Sequence, residues 1–262
     1  MDVVLPHLLG SAYKSLSQQA RVVTEAWALE NLFCPACTED RLLPMRGSTK
    51  AVDFQCPACR QKFQFKAKST SFGGRVADGA YATMLSALES NSAPSLCLMR
   101  YDLLHWRAQS LVLIPHFALP PSAILKRNPL SPTARRAGWI GCFIKLGNIP
   151  PDAKIAMIRE GVPLPANSVR TQFARLKPLR ELSLSARDWT LDVLNEVRKL
   201  GKAEFTNADM YARASALVPL HPNNRHLTDK IRQQLQFLRD RGFLIHLGSK
   251  RWRLTAPPSP AS

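Results

Sequence analysis

The chain has 262 residues, of which 45% are hydrophobic, and carries a formal net charge of +17. That length holds one large or two ordinary domains, each with its own core. Charge is balanced over the first fifty residues and positive in every later stretch, so no single basic tail explains it; a polyanion lying across both halves suits such a chain, against the plainer reading of a merely basic surface.

In chain order, the acidic start Met1-Asp2-Val3-Val4-Leu5-Pro6 lacks the basic n-region of a signal peptide. No apolar run along the chain approaches the ~18 residues of a membrane span. Residues 11–33 place Ala20, Val23, Trp27 and Leu16 on one helical face, which predicts an amphipathic helix. Glu25 falls away from that stripe; it reads as a solvated acid, or as a third acid near an active site.

Cys34 to Lys68 follows, CPACTEDRLLPMRGSTKAVDFQCPACRQKFQFKAK. Two C-x2-C hooks, Cys34/Cys37 and Cys56/Cys59, put two thiolates each on a tight turn. Together they offer a tetrahedral S4 set, which suits Zn2+ with no open position, so the metal would hold the fold and not catalyse. The gap between hooks is that of a zinc ribbon. Redox pairs and disulfides are the alternatives, and they need a βαβ context or an oxidising compartment. The remaining cysteines, Cys97 and Cys142, sit among apolar residues and read as inert buried thiols; the chain is one of a reducing compartment.

The second hook lies between Asp53 and the alternating stretch Lys62-Phe63-Gln64-Phe65-Lys66-Ala67-Lys68. Period two predicts a half-buried strand with Phe63, Phe65 and Ala67 inward and Gln64, Lys66 and Lys68 on the other face. An acid on a neighbouring strand with an E/Q-x-K pair suits metal-dependent phosphodiester cleavage. The carboxylate and side-chain oxygen would hold Mg2+, and the lysine would orient or deprotonate the attacking water. Spacing alone favours the plain reading, a solvated strand face.

Beyond it, Gly73-Gly74 marks a turn, and a helix is expected to begin near Asp78 or Gly79. Two continuously apolar strands, Ser95 to Tyr101 and Ser110 to Ile114, predict a sheet covered on both faces. A proline-rich stretch leads into Arg135-Arg136-Ala137-Gly138-Trp139. Its arginines suit phosphates, and Trp139 is either a core anchor or a base-stacking platform. Lys154 to Ile158 reads as a strand, followed by a basic connector to residue 182.

From Leu184 the pattern changes. A helix with Leu191, Leu194 and Val197 inward is followed by the capping-box-like Thr206-Asn207-Ala208-Asp209 of a second helix. A third helix, capped by Thr228, runs from Lys230 to Arg241, and a hairpin from Phe243 to Leu254 closes the unit. That order is the order of a winged helix. On the third helix Ile231, Leu235 and Leu238 form the buried stripe, while Arg232, Gln233 and Gln236 point outward. Those side-chain types read guanine and adenine edges in a major groove; a solvated face is the plain alternative. Residues 255–262 are expected to be disordered.

Five segments, YKSLSQQARVVTEAW, AVDFQCPAC, DGAYATM, LSPTARRAGWIGC and KIRQQLQFLRDRG, resemble the DpnI-type methyl-directed restriction endonucleases, over nearly the whole chain. The resemblance implies an α/β PD-(D/E)xK nuclease domain with an embedded zinc site over residues 1–182 and a winged-helix DNA-binding domain over 183–254. It implies a Type II enzyme of the bacterial cytoplasm, acting as a monomer, that cuts duplex DNA at GATC carrying N6-methyladenine and uses Mg2+. On it, Asp53 and the 64 position bind Mg2+, Lys66 is the catalytic lysine, and Cys34, Cys37, Cys56 and Cys59 hold zinc. Trp139, beside Arg135 and Arg136, falls in the loop near the methylated base. Arg232, Gln233, Gln234 and Gln236 fall on the recognition helix. One departure stands out: the family's glutamate is Gln64 here, an oxygen ligand without charge. A catalytically weak or inactive reader of methylated DNA is therefore the competing expectation, and a zinc-containing regulator with no nuclease ancestry a third.

Overall fold

The computed structural model describes residues 1–45 and 52–255. Its first part runs α1 (Leu16–Asn31), β1 (Leu43–Pro44), β2 (Phe54–Gln55), β3 (Lys62–Lys68), β4 (Arg75–Ala80), α2 (Tyr81–Glu89), β5 (Ser95–Asp102) and β6 (Arg107–Ile114). It continues with β7 (Ile124–Lys126), β8 (Gly141–Lys145), β9 (Ile155–Arg159), β10 (Val162–Pro163) and α3 (Ala166–Leu176). One sheet has the order β1-β2-β3-β5-β6-β9-β10, antiparallel except where β3 and β5 run parallel. The unbroken apolar run of β5 is explained by its central place, with Ser95 to Met99 all buried. α1 packs on β3 and α3 on β9, while α2 lies against a second, smaller sheet of order β4-β8-β7.

α1 buries Val23, Thr24, Trp27 and Ala28, and the Trp27 indole donates to the Asp2 carbonyl at 3.0 Å. Leu16, expected on this stripe, is instead exposed at the first turn, since the helix meets the sheet only one turn later. Glu25 is exposed. Burial pushes the Cys97 thiol up to about 12 and the Cys142 thiol up to about 11, as expected of inert buried thiols. The expected basic connector contains a helix, α3, whose Val169, Phe173 and Leu176 are buried.

The second part runs α4 (Leu184–Lys199), β11 (Glu204–Thr206), α5 (Asn207–Tyr211), α6 (Ala214–Leu217), α7 (Leu227–Asp240), β12 (Leu244–Gly248) and β13 (Arg251–Leu254), with a sheet of order β11-β13-β12. The Thr206–Asp209 capping box forms in full. Thr228 does not cap α7: the helix starts a turn before Lys230, and the Asn224 side chain accepts from His226 N at 2.8 Å just ahead of it. Thr255, expected in the disordered tail, is held by the Gly242 and Phe243 carbonyls; the rest of that expected tail, residues 256–262, lies outside those described.

α4 is buried over nearly its whole circumference, from Trp189 to Val197. One side packs in its own unit, where Thr190 Oγ1 donates to Gln234 on α7. The other side meets the first part. Arg187 donates to the Leu88 carbonyl and Asn91, Asn195 to the Gly147 carbonyl, and Arg198 pairs with Asp152. These buried polar side chains are tolerated because each makes hydrogen bonds across the contact, although the Arg187 Nε is left without a partner among the described residues.

Asp188 and Asp192, one turn apart on α4, both meet Ser122. Its N donates to Asp188 at 3.0 Å and its Oγ to Asp192 at 2.7 Å, while His221 Nε2 lies 2.9 Å from the far oxygen of Asp192. Burial, and next the charge of Asp192, push the Asp188 carboxyl up to about 6. The folded chain then holds this proton more tightly than the unfolded chain, where aspartate titrates near 3.9. Stability is lost as pH rises through that window, and the loss is complete above about 6. Asp188→Asn keeps the acceptor and removes the charge. It should raise Tm by several degrees at neutral pH, with the gain shrinking to nothing near pH 4. Thermal melts across that range check it; no gain at neutral pH would show that the Asp188 charge is not destabilising.

Candidate active site and metal centre

The two Cys-Pro-Ala-Cys hooks come from the loops after α1 and after β2. Both loops turn by main-chain bonds: Cys34 N to Glu39 O, and Cys56 N to Gln61 O with Arg60 N to Cys56 O. Arg60 takes a left-handed conformation, φ 62. The sulfurs meet at 3.5 Å for Cys34–Cys59 and for Cys37–Cys56, and all four lie within 4.8 Å of one another. A tetrahedral ion with Zn–S bonds of about 2.3 Å holds its sulfurs about 3.8 Å apart, so the set fits zinc with no position left open. Arg170 of α3 ties the first hook down: it donates to the Cys34 and Glu39 carbonyls, pairs with Asp40 and lies over the Phe33 ring at 5.3 Å.

The second hook fixes the start of β3, and β3 carries the candidate chemistry. Asp53 is pinned on both sides by main-chain bonds, Asp53 N to Phe63 O and Met45 N to Asp53 O, both 2.9 Å. Its carboxylate accepts from Phe65 N at 2.8 Å, which sets it beside the residue between Gln64 and Lys66. It remains exposed.

Gln64 and Lys66 share a face of β3, as alternation requires, but that face is not solvated: Gln64 is 7% exposed. Both meet Asp78, on β4 of the second sheet. Gln64 Nε2 donates to Asp78 Oδ1 at 3.1 Å, and Lys66 Nζ lies 3.5 Å from the same oxygen. Gly79 N donates to it as well, at 2.7 Å, where the β4–β8 register slips. Because a carboxylate only accepts, Gln64 must turn its NH2 to Asp78, which leaves its carbonyl oxygen on the opposite side of the amide. The Asp78 side chain is 1% exposed, and its Oδ2 is buried with no hydrogen-bond partner. The expected helix start at Asp78 is thus a strand, and α2 begins only at Tyr81. The overlooked signal was local: Val76, Asp78 and Ala80 alternate as one strand face, and an acid on an inward face asks for an explanation.

Trp139 is half-buried. The loop bearing it closes through Leu130 N to Trp139 O and Gly138 N to Leu130 O, with Gly138 at φ +75. The indole lies over Gly141, where a Cβ would come within 2.7 Å of it, and the Arg136 guanidinium stands 4.7 Å from the ring. Arg135 and Arg136 are exposed.

On α7, Arg232, Gln233 and Gln236 are exposed and line a cleft of about 390 Å³. Arg232 and Gln236 also border a cleft of about 430 Å³ toward Lys250 and Ser249 of the hairpin. Gln234 departs from expectation: it is 5% exposed and accepts from Thr190 inside the core. Its position falls on the Ile231–Leu235–Leu238 side of the helix, so it braces α7 against α4. Among the described residues no helix is long and apolar enough to cross a membrane.

Comparison with known families gives two matches: the DpnI model, the Dam-replacing family, over residues 1–182, and the DpnI_C model, the Dam-replacing HTH domain, over residues 185–253.

Proposed function

This chain belongs to the DpnI Dam-replacing family, with a C-terminal helix-turn-helix domain, and from that premise we propose that it is a Type II restriction endonuclease cleaving duplex DNA at GATC sites that carry N6-methyladenine. The family implies methylation-dependent restriction. The observation that supports the nuclease reading most is the convergence of Asp53, Gln64, Lys66 and Asp78 around one strand, β3. In this reading residues 1–182 cut and residues 183–254 bind as a winged helix, and the enzyme works as a monomer in the bacterial cytoplasm.

Asp53 and the carbonyl oxygen of Gln64 are the oxygen donors a hard cation such as Mg2+ takes, and they fit it. When bound, that ion neutralises charge on the scissile phosphate. Lys66, steadied by Asp78, orients the attacking water and offsets the charge that develops on the phosphate oxygens. The four cysteines hold zinc and keep β3 in register with the Asp53 segment. Arg232, Gln233 and Gln236 read base edges, and Arg135 and Arg136 pair with phosphates.

Methyl dependence sets a demand on the site. One methyl group transfers for about 1 kcal/mol, and about 1.4 kcal/mol is tenfold in binding. Strong discrimination therefore needs two methyls, two reading domains, or a pocket that penalises bare adenine. Trp139 is the aromatic wall this chain offers beside phosphate-pairing arginines. Trp139→Ala should slow cleavage of methylated duplex at least tenfold, the scale of one lost stacking contact. Its salt-sensitive binding to random duplex should stay within about twofold, because that binding rests on charge. Equal losses in the two assays would make Trp139 only a packing residue over Gly141. The reading as a whole is tested by incubating methylated and unmethylated plasmid with protein and Mg2+ and resolving the products on a gel.

A further inference from the structure

We propose that Asp78 is the second carboxylate of the catalytic metal site, ligating through Oδ2, and that Gln64 acts in part as the donor that orients it. The inference rests on the nuclease reading and names a residue that reading does not need. Its starting point is the charge at β3. A site built from Asp53 and a neutral Gln64 supplies one carboxylate where two would be expected to hold a doubly charged hard cation.

Asp78 supplies the second in the right neighbourhood. Its Oδ1 is engaged by Gln64 Nε2, Gly79 N and Lys66 Nζ, which fixes the plane of the group. Its Oδ2 is buried and has no partner. A buried carboxylate oxygen without a donor is costly, and a bound cation removes that cost. A purely positioning role explains Oδ1 and leaves Oδ2 unexplained.

The test is Mn2+ binding to the full-length protein without DNA, with the free aquo ion counted by electron paramagnetic resonance. Wild type should bind one Mn2+, and Asp53→Asn should abolish it. Asp78→Asn should weaken it by more than about a hundredfold, beyond the roughly 10–100-fold that loss of a partner outside the ligand set costs. If Asp78→Asn fails to fold by thermal melt, Asp78→Ser carries the test: its smaller, neutral hydroxyl can still accept from Gln64 Nε2 or Gly79 N but supplies no carboxylate to the ion. Wild-type affinity in whichever of these variants folds, or no Mn2+ bound by wild type, would overturn the proposal. A wild type that binds Mn2+ through Asp53 and Asp78 yet leaves methylated duplexes uncut would instead remove the nuclease reading and leave this site standing.

Discussion

Lys66→Ala should slow cleavage of a methylated GATC duplex by about a thousandfold, the upper scale for removing one preorganised electrostatic group from an active site. Affinity for the same duplex should stay within about twofold, since one lysine is a small part of a +17 chain. The structure adds a second consequence. Lys66 Nζ is the cation beside the buried Asp78 carboxylate, 3.5 Å from Oδ1. Removing it leaves that carboxylate with dipoles only, and a broken buried pair is destabilising by about 3 kcal/mol or more. Lys66 is 23% exposed, so its share should fall below that figure. Lys66→Ala should therefore also lower Tm. The two effects separate in Lys66→Arg, which keeps the charge near Asp78 and restores Tm while cleavage stays slow. Single-turnover rates and melts of both variants check this; a Lys66→Ala enzyme that cuts at the wild-type rate would end the role given to Lys66.

Cys34→Ser or Cys59→Ser should release zinc and unfold the first part of the chain. A structural zinc contributes about 10–16 kcal/mol in small peptides, comparable with the whole stability of a domain, about 5–15 kcal/mol. The consequence is local first. The hooks connect α1 to the strands that carry Asp53 and β3, and Arg170 fastens the first hook to α3. Without the ion, four sulfurs within 4.8 Å lose what holds them together, and Asp53 loses its register against Phe63 and Phe65. Metal analysis should give one zinc per chain for wild type and none for either variant, with loss of cooperative unfolding. A zinc-free preparation that melts like wild type would contradict this.

Much of this was legible because it is local or periodic. The C-x2-C hooks announce their own geometry. The apolar runs of β5 and β6 announce a buried sheet, and Thr206–Asp209 forms the cap its spacing suggests. Ile231, Leu235 and Leu238 face inward as period 3.6 requires. What was missed depends on partners distant in sequence. Asp78 was expected near a helix start, ahead of apolar Tyr81, Met84, Leu85 and Leu88; only its encounter with Gln64 and Lys66 from another sheet brings it beside the candidate site. Gln234, which the resemblance placed on the recognition helix among exposed Arg232, Gln233 and Gln236, is instead claimed by Thr190 on α4. α4 showed an ordinary apolar stripe, while its polar residues are buried because a second domain surface supplies their partners. α3 did carry a buried period, Val169, Phe173 and Leu176, obscured by its arginines.

The measurement that bears most directly on the account is the single-turnover cleavage rate of short duplexes with one GATC site, fully methylated, hemimethylated or unmethylated at N6 of adenine, with Mg2+ and with chelator. The fully methylated duplex should be cut at least about thirtyfold faster than the unmethylated one, about fivefold per methyl, and chelator should stop the reaction. Tight, methyl-selective binding with no cleavage under any divalent metal would make the chain a reader of methylated DNA, and equal cleavage of all three duplexes would contradict methyl dependence.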